Sequence, residues 1–510
     1  MKILIEKIMY SAFALLFVIS FVLDGAAQKQ SGKTISEDSY RAARGVIEAA
    51  ITAYGGREAL RSIENFSIKF DGDNIHRNQS RRADPPYDRT PLRGSLVADI
   101  KNGRVSFELW RTSPGGFDAH TRLVTDGKQG AFLNLREQRI TKLDNPSFSN
   151  QRERLRFLPH NILLDAAARS ISLRFLGKAS FNNRPHDVIT YATEDGQQLT
   201  IYIDSQTNLM SKFETIAFDI IVNDTAAETI FPEYRTIEGK FKVPARRVLK
   251  RAGEEIENLP YTEVKFNQTY PADFFSPPAS GFTPAVPGPE NQPPVEKLST
   301  DIYLVRAAGG YNAMFVAFST YVLVLEAPIN DLTSRQVIDR IKEIVPDKPI
   351  KYVAVTHHHT DHSGGVREYV RAGANIVTTP GNRGFFTRMV SDVFTTSVFE
   401  RTPIARREFI ETFQKKRVFS EAGQTVELYD IGAGPHAEEM VVAYFPNEKI
   451  IFQGDLFNVP DDGRLTNANA TTKHFAEWLE KSNLPVEKIV AVHGPAVTPD
   501  QMRRALESVR

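Results

Sequence analysis

Apolar positions change their spacing three times along this chain, and each change marks a different kind of element. Ala43, Val46, Ile47, Ala50, Ile51 and Tyr54 recur at helical spacing before Gly55-Gly56 breaks the run, which predicts a first helix within Ser36–Ile63. From Phe66 to about Phe274 the pattern shortens to alternating runs such as "SLVADI", "VSFELW", "LTIYID", "SKFETIAF" and "ARRVLK". Gly, Asn, Asp and Pro clusters separate them, so this half is expected to be mainly antiparallel sheet. One stretch, "DNIHRNQSRRADPPYDRTP" from Asp73 to Pro91, is long, polar and without period, and reads as a mobile surface loop.

Ser276 to Val295 holds seven of the 29 prolines and keeps no periodicity, the composition of a stiff, extended linker. Beyond it, "IYLVRAAGGYNAMFVAFSTYVLVLEAP" gives three strand runs, and "DLTSRQVIDRIKEIV" puts Val337, Ile338, Ile341 and Ile344 on one helix face. Strand "IKYVAVT", helix "GGVREYVRAG" and strand "ANIVTTP" follow, an alternation that indicates an α/β arrangement. The last helix is expected to start with Thr498 as N-cap and Pro499 at its first position.

The first residues are ordered as a secretory signal: Lys2 and Lys7, an apolar run from Ile8 to Leu23, then small residues at Gly25, Ala26 and Ala27. The alternative is an N-terminal segment that stays as a membrane anchor. The expected organisation is therefore a signal over 1–27, a β-rich domain over 28–275, a linker over 276–295 and a second domain over 296–510. A length of 510 residues exceeds what one core usually organises, which agrees with two domains. Sixty-three basic and 62 acidic residues leave a net charge of +1, so no footprint for a phosphate backbone exists and nucleic acid is not an expected partner. No cysteine occurs, which suits a secreted or periplasmic location, with the membrane involved only in export.

Chemistry is concentrated in "VAVTHHHTDHSGG", where four of 11 histidines and an aspartate occupy six consecutive positions after an apolar run. Alternate residues of an extended loop point the same way, so His357 and His359 face one divalent cation together while His358 points elsewhere. Asp361 and His362 come where the loop turns into a helix, a placement that suits a second metal beside the first.

Residues 296–510 resemble the metallo-β-lactamase superfamily, whose signature His-x-His-x-Asp-His stands here as His357-His358-His359-Thr360-Asp361-His362. Three later motifs follow in order: "DIGAGPHAEEM" with His436, "IFQGDLF" with Asp455 and "VAVHGP" with His493. The resemblance implies an αββα sandwich with a dinuclear site. His357, His359 and His436 would hold one metal, Asp361, His362 and His493 the other, and Asp455 would bridge both. Two zinc ions are the expected cofactor, and iron or manganese accept the same donor set. Such ions, roughly 3.5–4 Å apart, share a water and lower its pKa for attack on a carbonyl, phosphoryl or sulfuryl centre. Asp361 is the candidate for taking up and returning a proton. Glu326 in "VLVLEAP" stands where the family often has aspartate, and is expected to support the histidine loop without ligating. His76, His120, His160, His186 and His474 match nothing and read as structural.

The spacing narrows the class. Superfamily nucleases insert a large domain before the last histidine, whereas 38 positions separate Asp455 from His493 here. Flavodiiron oxidoreductases carry glutamate where His359 stands, and lactamase subclasses with a ligand cysteine are excluded by composition. In the first half, "YGGREALRSIENFSIK", "LTIYIDSQTNLMSKFET" and "FPEYRTIEGKFKVPARRV" resemble the outer-membrane lipoprotein carrier type, an open β-barrel whose hollow holds acyl chains. That half either presents a lipid-like or bulky ester to the metal site or is a structural β domain beside it. The whole is expected to be an α+β multidomain chain, an open barrel-like antiparallel β domain followed by the sandwich. Two functions compete: an exported dinuclear hydrolase of a small-molecule ester, lactone or amide, and a periplasmic lipid- or ligand-binding protein with a vestigial or structural metal domain. Seven ligands around two ions leave room for water, which favours the enzyme.

Overall fold

The computed structural model describes residues 34–508 other than 116, 146–147, 286–291, 307–309, 392–408, 461–462 and 466–467. The segment read as a signal, residues 1–27, lies outside these residues. Among the described residues no helix is long and apolar enough to cross a membrane.

The helical run predicted near the start is an α-helix over Ile35–Ala53, opened by a capping box between Thr34 and Glu37. Its stripe of Ala43, Ile47, Ala50 and Ile51 is buried. Against that stripe and the helix Pro159–Ala168 packs a 14-stranded sheet, antiparallel except where Thr283–Pro284 joins Arg139–Ile140 in parallel. The two edges of this sheet, Thr283–Pro284 and Arg174–Phe181, do not pair with each other. Part of the proline-rich stretch is thus an edge strand of the first sheet, and at its other end Val295 already pairs with Val305 of the next.

The second half holds a seven-stranded and a five-stranded sheet. Strands here are apolar on both faces because both are covered. On the strand Asn312–Ala317, Met314 and Val316 join a cluster with Val426, Leu428, Phe445 and Phe452 of the other sheet. Ala313 and Phe315 point the opposite way, into a cluster with Val337, Ile341, Val366, Tyr369 and Phe385 from the helices Asp331–Ile344, Val366–Arg371 and Arg383–Ser391. Phe475 and Met502, from the helices Ala470–Ser482 and Pro499–Ser508, cover the outer face of the five-stranded sheet. Thr498 caps the last helix reciprocally with Gln501, as its sequence predicts.

The stretch Asp73–Pro91 departs from expectation. It is docked between the halves, with His76, Arg77, Ser80 and Ala83 buried. Arg77 meets Asp219 at 2.6 Å and Glu254 at 2.7 Å, and the Ala83 carbonyl accepts from Arg388 at 3.0 Å. Polarity here reflects partners rather than solvent, which a pattern of apolar positions cannot reveal. A second tie is Arg367, 1% exposed, whose guanidinium donates to the Ile220 carbonyl and to Asn223 Oδ1 at 2.8 and 2.9 Å.

Candidate metal centre

The strand Ile350–Ala354 lies between two parallel neighbours, and its end releases the chain at Val355 into the histidine run. The His359 carbonyl accepts from the amides of His362 and Ser363 at 3.0 and 2.9 Å, so the backbone turns sharply there. That turn sends His357 and His359 to one side and Asp361 and His362 to the other. His436 enters from the connection between Gln424–Asp430 and Val441–Phe445, Asp455 follows Ile450–Gln453, and His493 follows Lys488–Ala491. Glycine at 454 permits this convergence: a Cβ there would stand 2.4 Å from Thr356 Oγ1 and 3.2 Å from His357 Nδ1.

Two groups of potential ligand atoms result, each within 4.8 Å: His357, His359 and His436, and Asp361, His362, Asp455 and His493. All seven residues read from the sequence as ligands lie in them. The other six histidines belong to neither group: among them His120 bonds Glu108 at 2.6 Å, His186 bonds Ser211 at 2.7 Å and His76 bonds Thr90 at 2.5 Å. His358 is buried against Phe385 with ring centroids 5.3 Å apart, and burial drops its pKa to about 4.

The donor set fits a divalent cation. His359 Nδ1 is buried without a hydrogen-bond partner among the described residues, an arrangement that a bound cation would satisfy. Burial and the neighbouring imidazoles hold His357 and His359 well below the usual histidine range, so both stay neutral, the form that ligates. Burial opposes ionisation of Asp455, yet His362 and His493 outweigh it and keep this carboxyl well below its ordinary range. Burial likewise opposes the charge on His362, and Asp455, Asp361 and Glu326 overcome it to push its pKa well up. Three carboxylates around one buried ring form a site that wants positive charge.

Glu326 is fully buried and lies behind the ligands, as expected from "VLVLEAP". Its Oε2 accepts from His362 Nδ1 at 2.9 Å and its Oε1 from the Thr356 amide at 2.7 Å, which leaves His362 Nε2 facing Asp455. Its φ of +80° is left-handed in a non-glycine residue, a strain of order 1–3 kcal/mol located at the site itself.

Three residues were not found by sequence reasoning. Gln79 Nε2 donates to Asp361 Oδ1 at 2.6 Å, and the Ser80 carbonyl accepts from His359 Nε2 at 2.9 Å, which leaves Nδ1 as the free donor atom of that ring. Tyr311 donates to Asp361 Oδ2 at 2.9 Å and packs edge-on against His493 at 4.4 Å. Burial, and then the Asp361 charge, push the Tyr311 pKa up, so it remains a proton donor at neutral pH. The first half of the chain therefore supplies contacts directly behind the ligands of the second.

Residues 306–493 match the family model described as the metallo-beta-lactamase superfamily. Among solved structures, a metallo-beta-lactamase from Pontibacter korlensis is 22% identical with a TM-score of 0.34, over 42% of this chain and 98% of its own. A metallo-beta-lactamase from Hirschia baltica is 17% identical with a TM-score of 0.31, over 42% and 97%. No curated protein matches the chain. The superfamily match takes in six of the seven ligand positions at once and ends on the seventh, His493, while Gln79 and Ser80 fall before it.

Proposed function

We propose that this chain is an exported, dinuclear metal-dependent hydrolase acting on an ester, lactone, amide or related bond of a small molecule. Its second half is read as an αββα sandwich over 296–510, and its first as an open barrel-like β domain over 28–275. The carrying observation is the position of Asp455. Its Oδ2 lies 3.2 Å from His362 Nε2 and 3.4 Å from His436 Nε2, one nitrogen from each ligand group, and its Oδ1 lies 3.2 Å from His493 Nε2. A carboxylate so placed can serve two cations. His357, His359 and His436 would hold one ion, and Asp361, His362 and His493 the other, zinc being the expected metal. Such ions, when bound, would lower the pKa of a bound water toward neutrality and polarise the bond under attack.

The protein's own groups then have definite tasks. Asp361 Oδ1 is held by Gln79 and Oδ2 by Tyr311, which fixes the carboxylate plane while leaving lone pairs on each oxygen. Asp361 is the group to accept a proton from the nucleophile and return it to the leaving group, with the Tyr311 hydroxyl steadying its charge. The first domain contributes a cavity of about 330 Å³ whose walls combine Phe70, Phe107, Phe157 and Leu259 with charged groups such as Arg154 and Arg247, suited to a substrate part that is apolar but not purely lipid-like.

The test is metal analysis of the full chain together with turnover of lactone, acyl-ester, phosphodiester, sulfate-ester and β-lactam panels. Up to two ions per chain and turnover that disappears with chelator are expected. A chain that takes up no metal under zinc-replete conditions sinks the reading.

A further inference from the structure

Between the halves lies a cleft of about 720 Å³ that has Thr360 and Asp361 at one side and is otherwise lined by the first half. Arg77 is matched by Asp219 at 2.6 Å, and Glu257 by Arg247 at 2.9 Å. Asp361 belongs to the metal centre and carries its own donors. His76 is kept neutral by its burial and by the charge of Arg111 beside it. Two cations remain. The guanidinium groups of Arg111 and Arg251 have no hydrogen-bond or ion-pair partner among the described residues. The acidic groups that act on Arg251 are Asp219 and Glu257, both already engaged, and Glu153, which makes no ion pair with it.

Arg251 is half-buried, and a guanidinium that forfeits hydration without gaining a partner is costly, a cost an anion would offset; Arg111 is exposed and adds a solvated positive charge on the wall of the same cleft. Arg251 and Glu257 also line the cavity of the first domain, where aromatic and charged side chains alternate, so the cationic position stands where the two spaces adjoin the same side chains.

We propose that the substrate of the metal centre carries a carboxylate or equivalent anionic group, and that Arg251 and Arg111 receive it in this cleft while the scissile bond faces Asp361. This rests on the hydrolase reading above and makes the first domain the selector of substrate. Guanidinium binds a carboxylate through two parallel N–H donors, which orients the rest of the molecule as well as holding it.

The experiment compares two matched esters on the metal-loaded full chain: 4-nitrophenyl valerate, which is neutral, and the mono-4-nitrophenyl ester of glutaric acid, which ends in a carboxylate. The expected kcat/KM is about tenfold or more higher for the glutarate ester, the scale of one charge-assisted hydrogen bond. In Arg251→Gln and in Arg111→Gln that ratio falls toward one, and Arg251→Lys restores part of it. Binding of 1-butanesulfonate, a weak metal ligand, is measured calorimetrically in the wild type and in Arg251→Gln. Metal-dependent turnover with no preference between the esters, or a preference that both substitutions leave intact, overturns the proposal and leaves the hydrolase reading standing. Sulfonate binding that Arg251→Gln abolishes, with neither ester turned over, supports the anion subsite and counts against the hydrolase. No sulfonate binding and no ester preference overturns the subsite.

Discussion

Replacing Gln79 by leucine tests whether the first half of the chain takes part in the metal centre. The side chain keeps its approximate size and loses one hydrogen bond, from Nε2 to Asp361 Oδ1 at 2.6 Å. A hydrogen bond to a charged acceptor contributes about 1.5–3 kcal/mol, or roughly tenfold to over a hundredfold in an equilibrium constant. The Asp361 side chain is 28% exposed, so water replaces part of what is lost and the lower end applies. The expected result is about tenfold weaker binding of the ion held by Asp361, His362 and His493, with a smaller change at His357, His359 and His436. Competition against a chromophoric chelator reads both affinities, and a thermal melt of the metal-free chain shows that the fold is intact. Two affinities within about twofold of wild type, in a variant that melts normally, would refute the reasoning and reduce the Gln79 contact to a surface decoration.

Asp455→Asn removes a charge while nearly keeping the shape, and is expected to fold normally, bind at least one ion about tenfold or more weakly, and lose about a hundredfold or more of turnover at matched free zinc. His358→Ala is expected to retain both ions by metal analysis, because its ring faces Phe385 and not the site; loss of both would show that the register of the histidine run is misread. Arg367→Ala breaks two hydrogen bonds across the halves from a side chain 1% exposed, and is expected to cost about 3 kcal/mol in denaturant unfolding. His160 is buried beside Phe266, and burial alone drops its pKa to about 4. A depressed histidine adds stability that is complete above the unfolded value near 6.5 and is lost as pH falls from there toward 4, about 3 kcal/mol over the window. His160→Phe should flatten that part of the stability–pH curve, and an unchanged curve would exclude the residue as its source.

The candidate ligands were legible because they share a local grammar: a buried strand, then a polar residue at its end. His357 to His362 are contiguous, and Asp455 and His493 each close an apolar run, so a single pass along the chain finds them. Glu326 was legible for the same reason. Gln79 and Ser80 were not, since they lie 282 and 279 positions from the groups they touch and are brought there only by docking of the two halves. Their segment carries no period because none of its residues sits in a repeating element. Its burial comes from specific partners such as Asp219, Arg388 and Glu438, and a polar residue buried by pairing looks in sequence like a solvated one. Tyr311 had a weak signal in hindsight: it follows Gly309-Gly310 and immediately precedes the strand Asn312–Ala317, and it forms an isolated bridge to His493.

Construction of the candidate site across the halves would couple docking to metal binding. Asn78 and Ser80 carbonyls accept from Thr360 and His359, the Arg81 carbonyl accepts from the Glu438 amide, and Glu438 lies two positions beyond His436. One segment of the first half therefore touches the loops that carry five of the seven ligands. If docking strengthens metal binding by some factor, metal must strengthen docking by the same factor, because the two equilibria share one cycle. An ion at a hundred times its dissociation constant adds about 2.7 kcal/mol to the state that binds it. Part of that increment appears in the interface wherever the segment Asn78–Arg81 must be seated for the ligands to converge. The cleft lined by Arg111, Arg251 and Asp361 runs along the same interface, so under the proposed anion subsite the surface that orders the candidate ligands would also select what reaches them.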